Sequence, residues 1–267
     1  MERETLRLEG SVSSHLGYKR RNNEDNFLLQ GEMNAESAPV VETAPKLSPT
    51  LGGWHCFAVF DGMGGGERGE VASWLAAKEF QKLSADAGLG PGGVTGLARG
   101  AFRAANRRIL QEQDRAMYGT TGTAVFTDGQ RFRVFHMGDS RAYLYRFGAL
   151  FQLTQDQTVA AMKIDIGYYS ADDPRALRER HQLTEYIGCD PTLEELAPQE
   201  SEWLQLLPGD RLLLCTDGLS ELCSDTEIRE TLRDFPDPIG ASWKLTERAL
   251  RAGGRDNVTC MVIGRMR

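Results

Sequence analysis

Phe57-Ala58-Val59-Phe60-Asp61-Gly62 is an apolar run that stops on an acid and a glycine, and Leu212-Leu213-Leu214-Cys215-Thr216-Asp217-Gly218 repeats the pattern. Short apolar runs bounded by turn signals read as buried strands. A third acid, Asp256, stands just before the last apolar run, residues 258–263.

One Asp-Gly after a strand is most simply a turn. Two of them, with Asp256, place three carboxylates at strand ends on one sheet edge. Like charge and desolvation make such a cluster tolerable only with a cation. Oxygen donors with no His-Cys set beside them suit hard, near-octahedral ions, so Mg²⁺ or Mn²⁺ is expected rather than Zn²⁺. Two such ions about 3.5–4 Å apart can activate a bridging water and clamp a phosphoryl group.

Outward from these runs, strands are expected at 54–60, 121–127, 132–137, 142–145, 211–215 and 258–263. Asp128-Gly129 and Phe147-Gly148 are hairpin signals, which favours antiparallel sheets. Val71, Leu75 and Leu83 mark one helix face, and Ala98, Phe102, Ala105 and Ile109 another. Two more helices follow Cys223 and Ile239. Strands grouped in runs, with helices between and after them, give an α+β fold rather than alternating parallel units. Residues 31–53, rich in Pro, Ala, Ser, Thr and Glu without period, read as a mobile surface loop.

Residues 17–26, Gly-Tyr-Lys-Arg-Arg-Asn-Asn-Glu-Asp-Asn, set a basic cluster directly before an acidic pair. On its own this is a solvated charged loop. A fixed guanidinium there could hold two phosphate oxygens while the acids hold metal-bound waters.

Taken together, residues 17–25, Asp61-Gly62-Met63-Gly64-Gly65, Gly119-Thr120-Thr121, Gly138-Asp139-Ser140-Arg141-Ala142-Tyr143, Leu153-Thr154-Gln155-Asp156, Asp217-Gly218 and Gly253-Gly254-Arg255-Asp256-Asn257 resemble the protein phosphatase 2C family of metal-dependent Ser/Thr phosphatases, its bacterial members above all. The resemblance spans residues 17–263. It implies a four-layer α-β-β-α sandwich of two antiparallel sheets flanked by helices, forming one catalytic domain over 1–267 with a flap at about 157–188. It implies hydrolysis of phosphoserine and phosphothreonine in proteins by a metal-bridging water.

By that resemblance Asp61 bridges two Mn²⁺ or Mg²⁺ ions, the Gly62 carbonyl binds one, and Asp217 and Asp256 complete the protein ligands of the first. Glu24 and Asp25 act through bound waters, Asp139 with Asp217 can hold a third ion, and Arg20 grips the substrate phosphate. Three departures stand out. Met63 occupies the place where many eukaryotic members carry a histidine proposed as general acid, Gln157 stands where a histidine is usual, and Glu185 where bacterial members commonly show arginine. Two other functions fit the same residues: a pseudophosphatase that binds phosphopeptides without turnover, and a phosphatase of small phosphate esters.

Other motifs carry less. Cys223 and Arg229 have thiolate-phosphatase spacing, but Asp225 and Glu227 between them would repel a dianion, and Ser224 with Glu227 makes a helix capping box. Gly64-Gly65-Gly66-Glu67-Arg68-Gly69 matches a dinucleotide fingerprint without the strand and acid that should follow. Ser140 leads into a strand, where a nucleophile elbow must lead into a helix. None of His15, His55, His136 and His181 is spaced as a metal pair, and none is assigned a role.

The 267 residues carry 31 basic and 38 acidic side chains, net −7, which argues against a nucleic-acid footprint. Five scattered cysteines without a Cys-x-x-Cys pair suggest neither a disulfide framework nor a zinc knuckle. No run approaches the roughly 18 apolar residues of a membrane span. The expectation is a cytoplasmic monomer, a catalytic unit without membrane tail or sensor domain, acting on phosphorylated proteins made by a Ser/Thr kinase.

Overall fold

The computed structural model describes residues 8–35, 40–43, 53–64, 68–83, 90–113, 117–170, 172–189 and 196–265. Their strands form two sheets. One has the order β3 (Val40–Thr43), β1 (Leu8–His15), β13 (Val258–Arg265), β12 (Arg211–Cys215), β8 (Arg141–Arg146), β9 (Ala149–Gln152). The other runs β10 (Gln199–Glu200), β7 (Arg131–Met137), β6 (Gly122–Thr127), β4 (His55–Gly64), β2 (Asp25–Leu29), with β11 (Leu204–Gln205) added to β7 and β5 (Tyr118–Thr120) to β4. Every strand pairing is antiparallel.

Alternation along the strands builds the layers. Phe57 and Val59 of β4 point into a core shared with Leu212 and Leu214 of β12 and Met261 and Ile263 of β13, so the two sheets pack face to face. Ala58 and Phe60 point the other way, into α1 (Gly69–Gln81) and α2 (Pro91–Glu112). There Phe60, Phe80 and Phe102 stack edge to face with centroids 5.1 and 5.0 Å apart, each contact adding about 0.5–1.5 kcal/mol beyond area burial. Leu213, Cys215 and Val262 similarly meet α6 (Asp225–Asp234) and α7 (Pro238–Arg251). Helices, sheet, sheet, helices is the expected four-layer α+β order.

The flap residues carry α3 (Val159–Asp165) and α4 (Pro174–Glu179), and α5 (Asp217–Ser220) follows β12. Ala160, Tyr169 and Ala176 form a small satellite core, and Glu179 ties it together by taking both Lys163 Nζ, at 2.8 Å, and the Tyr169 hydroxyl. Both hairpin signals hold: Asp128-Gly129 joins β6 to β7, and Phe147-Gly148, with φ of 51° and 80°, joins β8 to β9.

Several expectations need correction. Asp61-Gly62 does not end a strand, because β4 continues to Gly64, with Gly62 opposite Thr120 of β5. Within 31–53, Val40–Thr43 is an edge strand on β1, while residues 36–39 and 44–52 lie outside the described residues, as do Gly65, Gly66 and Glu67. Leu83 falls beyond the end of α1, whose buried face is Ala72, Leu75, Ala76 and Phe80. β1 and β2 are additions. The serine-rich β1 hides its strand character because Ser11, Ser13 and Ser14 are buried, Ser11 against Ser242 Oγ at 2.9 Å and Ser14 against Thr259 Oγ1 at 2.8 Å.

Candidate metal centre

Both sheets deliver acids to one end of the sandwich. Phe57, Val59 and Asp61 share the inter-sheet face of β4 by period, so Asp61 continues the row that the core occupies. Asp25 stands opposite it on β2. Asp217 opens α5 after Thr216, Asp256 precedes β13, and Asp139 sits in the turn where the chain leaves β7 in one sheet for β8 in the other.

Asp61 is held by its backbone. Its N–H donates to Thr121 Oγ1 at 3.0 Å, and its carbonyl accepts from Thr121 N–H at 2.8 Å and the Thr120 hydroxyl at 2.9 Å. Thr121 Oγ1 also lies 2.7 Å from Ser140 Oγ, next to Asp139. Ser140 is therefore a fully buried structural hydroxyl, as expected. Asp25 Oδ2 accepts from Thr216 Oγ1 at 2.9 Å and Thr259 Oγ1 at 2.7 Å, while buried Asp25 Oδ1 has no hydrogen-bond partner.

The two glycines that follow the acids serve close packing. A Cβ on Gly62 would stand 2.0 Å from the Gly69 carbonyl oxygen, and one on Gly218 1.9 Å from that of Asn257. Gly62 N–H donates to the Glu24 carbonyl at 3.1 Å, and Glu24 N–H to Asn257 Oδ1 at 2.8 Å, so the Glu24-Asp25 pair is fastened to both strand ends.

Charge confirms the crowding. Burial, then repulsion from Asp217, Asp25, Asp139 and Asp256, pushes the Asp61 carboxyl well above the usual range. Burial pushes Asp25 up to about 8 against the opposing pull of its two threonine hydroxyls, and burial followed by Asp217 pushes Asp139 up to about 8. Glu24 is also raised, chiefly by burial. An all-oxygen donor set, mutual repulsion and one orphaned buried carboxylate oxygen fit hard divalent cations. Among the described residues no three of these acids bring ligand atoms within 4.8 Å of one another. Glu24, Asp61, Asp139, Asp217 and Asp256 ring a cleft of about 500 Å³, with Asp25 buried behind it, which suits ions that keep several of their waters.

Arg20 lines the same cleft. Its Nη2 donates to Asp256 Oδ2 at 2.6 Å, and its Nη1 lies 3.8 Å from Glu24 Oε2. The half-exposed guanidinium thus stands at the mouth, between solvent and the acids. Sequence reading missed three contributors: Thr216 and Thr259, which grip Asp25, and His181. The imidazole of His181 arrives from the flap with Nδ1 3.2 Å from Glu221 Oε1 and 3.9 Å from Asp217 Oδ2. Its distance in sequence from Asp217 and Glu221 left no spacing to read.

The two flap departures meet each other. Gln157 Nε2 donates to Glu185 Oε2 at 3.1 Å, its Oε1 accepts from Gly138 N–H at 2.6 Å, and its N–H donates to the Gly138 carbonyl at 2.8 Å. Cys223 is no nucleophile: burial pushes its thiol up to about 11, and the Ser224–Glu227 capping box is formed.

The profile of the family described as "Protein phosphatase 2C" matches residues 46–252. The chain belongs to the protein phosphatase 2C family. Within it, the chain is 34% identical over 267 residues to the serine/threonine protein phosphatase PstP of Mycobacterium tuberculosis, a match covering 98% of this chain and 46% of that protein. The chain therefore spans about half the length of this curated relative. The crystal structure of the M. tuberculosis phosphatase PstP/Ppp superposes with a TM-score of 0.79 at 32% identity, covering 98% of this chain and all of that one. The catalytic domain of PstP in complex with two manganese ions superposes with a TM-score of 0.77 over the same shares. Family membership and the four-layer fold thus agree. No helix among the described residues is long and apolar enough to cross a membrane.

Proposed function

We propose that this chain is a protein-serine/threonine phosphatase that hydrolyses phosphoserine and phosphothreonine in proteins with two Mn²⁺ or Mg²⁺ ions. The carrying observation is Asp61, half-buried amid Asp25, Asp139, Asp217 and Asp256 beside a cleft that Arg20 borders. Asp61, the Gly62 carbonyl, Asp217 and Asp256 would hold the ions directly, Glu24 and Asp25 through water, and Asp139 with Asp217 a third. When bound, the ions supply an activated water and neutralise charge on the phosphoryl group.

The chain's own residues do the positioning. Arg20 presents a planar pair of donors for two phosphate oxygens. Thr120 and Thr121 fix the backbone of Asp61, and Thr216 and Thr259 fix Asp25. Met63, in the cleft wall, offers no proton to the leaving hydroxyl. The catalytic domain takes in residues 1–267 with 157–188 as its flap, and the substrates are proteins phosphorylated by a Ser/Thr kinase, met by a monomer in the cytoplasm.

Release of phosphate from a phosphothreonine peptide with Mn²⁺ tests the reading. Wild type should turn over, and Asp61→Asn and Asp217→Asn should not, while all three keep the same far-UV circular dichroism. Full activity in excess EDTA would overturn it. Tight peptide binding without phosphate release would establish a binding module instead.

A further inference from the structure

We propose that His181, Asp217 and Glu221 form a second kind of cation site, of mixed nitrogen and oxygen donors, that fastens the flap to the α5 turn and takes a transition ion, Zn²⁺ or Co²⁺ best and Mn²⁺ less tightly, in preference to Mg²⁺.

Asp217 and Glu221 are four residues apart on one helical turn, closed by Glu221 N–H donating to the Asp217 carbonyl at 2.9 Å. That spacing stacks their carboxylates on one side. His181 is brought opposite them by backbone: Val159 N–H donates to the Gln182 carbonyl at 2.8 Å, and Thr184 N–H to that of Gln157 at 2.9 Å. The three side chains place one ligand atom each within 4.8 Å of the others, the one such trio of His, Cys, Asp or Glu among the described residues. Bonds of about 2.1 Å to one ion set neighbouring ligand atoms about 3–3.5 Å apart, so small side-chain rotations close the site.

The proton on the imidazole marks the position. Arg180 Nε–H donates to His181 Nε2 at 3.1 Å, which leaves the ring's own proton on Nδ1, facing the two carboxylates. A cation bound at Nδ1 takes that place, and the proton moves to Nε2. Arg180, which also lies 3.1 Å from Glu221 Oε1, then turns away from both partners; its side chain is 44% exposed and has room to do so. A nitrogen donor shifts preference towards borderline ions, whereas the ring of acids described above is all oxygen. The trio contains none of Asp61, Asp139 or Asp256. It shares only Asp217 with the proposed catalytic centre, and in that respect rests on that reading.

Because the other proposed ligands are all oxygen, nitrogen coupling to bound Mn²⁺ is diagnostic. Pulsed electron paramagnetic resonance of the Mn²⁺-loaded protein should show ¹⁴N modulation from one imidazole. It should vanish in His181→Gln, weaken in Glu221→Gln, persist in Asp61→Asn, and resist Mg²⁺ at concentrations that displace oxygen-bound Mn²⁺. His181 is half exposed, so its replacement leaves the fold intact. Bound Mn²⁺ without nitrogen coupling in wild type, or coupling unchanged in His181→Gln, would overturn this proposal and leave the catalytic reading standing. No bound Mn²⁺ at all would overturn both.

Discussion

Asp25 and Asp61 stand directly opposite each other on neighbouring antiparallel strands, both on the face that the two sheets share. Opposed like charges destabilise a strand pair, and burial removes the water that would screen them. Such a pair persists where a counter-charge is worth more than the sheet loses.

Divalent ions should therefore stabilise this protein strongly. At a free Mn²⁺ concentration 100 times its Kd, linkage predicts about 2.7 kcal/mol. Thermal unfolding should show a rise in Tm with Mn²⁺ that is smaller in Asp61→Asn. An unchanged Tm in wild type would contradict the assignment.

Arg20→Lys keeps the charge and loses the planar fork. Removing one charge-assisted hydrogen bond costs about 1.5–3 kcal/mol, so kcat/KM on a phosphothreonine peptide should fall by about 10- to 100-fold. The loss should lie mainly in KM, since Arg20 borders the cleft beside Asp256 and Glu24 rather than reaching Asp61. Steady-state kinetics separates the two parameters.

Gly62→Ala and Gly218→Ala place a methyl carbon 2.0 and 1.9 Å from a backbone carbonyl oxygen, far inside van der Waals contact. Neither neighbour is a side chain that can rotate away, so β4 must part from the start of α1, and α5 from the segment before β13. Overpacking of this kind costs about 1–3 kcal/mol or more. Urea unfolding should show that loss, together with weakened Mn²⁺ binding by calorimetry. Gly100→Ala in α2, where nothing lies within 4 Å and the backbone is helical, is the control for added bulk.

His136 is buried between the sheets with Nδ1 2.9 Å from Thr123 Oγ1, and burial lowers its pKa from 6.5 to about 4. A base whose folded pKa is depressed holds its full contribution above the unfolded value and loses it as pH falls below that value. Stability should thus decline between pH 6.5 and 4 by about 3 kcal/mol. His136→Gln should show a shallower decline over that window in chemical denaturation.

The β4 and β12 runs were legible because each is too short and too apolar for anything but a buried strand, and the Asp-Gly that follows each is local. Asp61, Asp217 and Asp256 follow from that pattern alone, whereas Glu24, Asp25, Asp139 and Arg20 needed the family resemblance. β1 stayed hidden because it buries serines whose hydroxyl partners, Ser242 on α7 and Thr259 on β13, lie more than two hundred positions away. His181 stayed hidden for the same reason: its partners are set by the path of the flap. The turn that a single Asp-Gly suggests is not what forms at either position, since Gly62 and Gly218 admit a neighbouring backbone rather than reverse the chain.

The crossing of the chain from β7 to β8 at Gly138–Ser140 puts the Asp139 turn astride the seam between the sheets, with Asp25 and Asp61 on one side and Asp217 and Asp256 on the other. Ions drawn to that ring would act as rivets at the mouth of the sandwich. Chelation should then release the two sheets to splay about their shared apolar floor, and amide hydrogen exchange should quicken first at 59–64 and 214–217 while the helical layers stay protected.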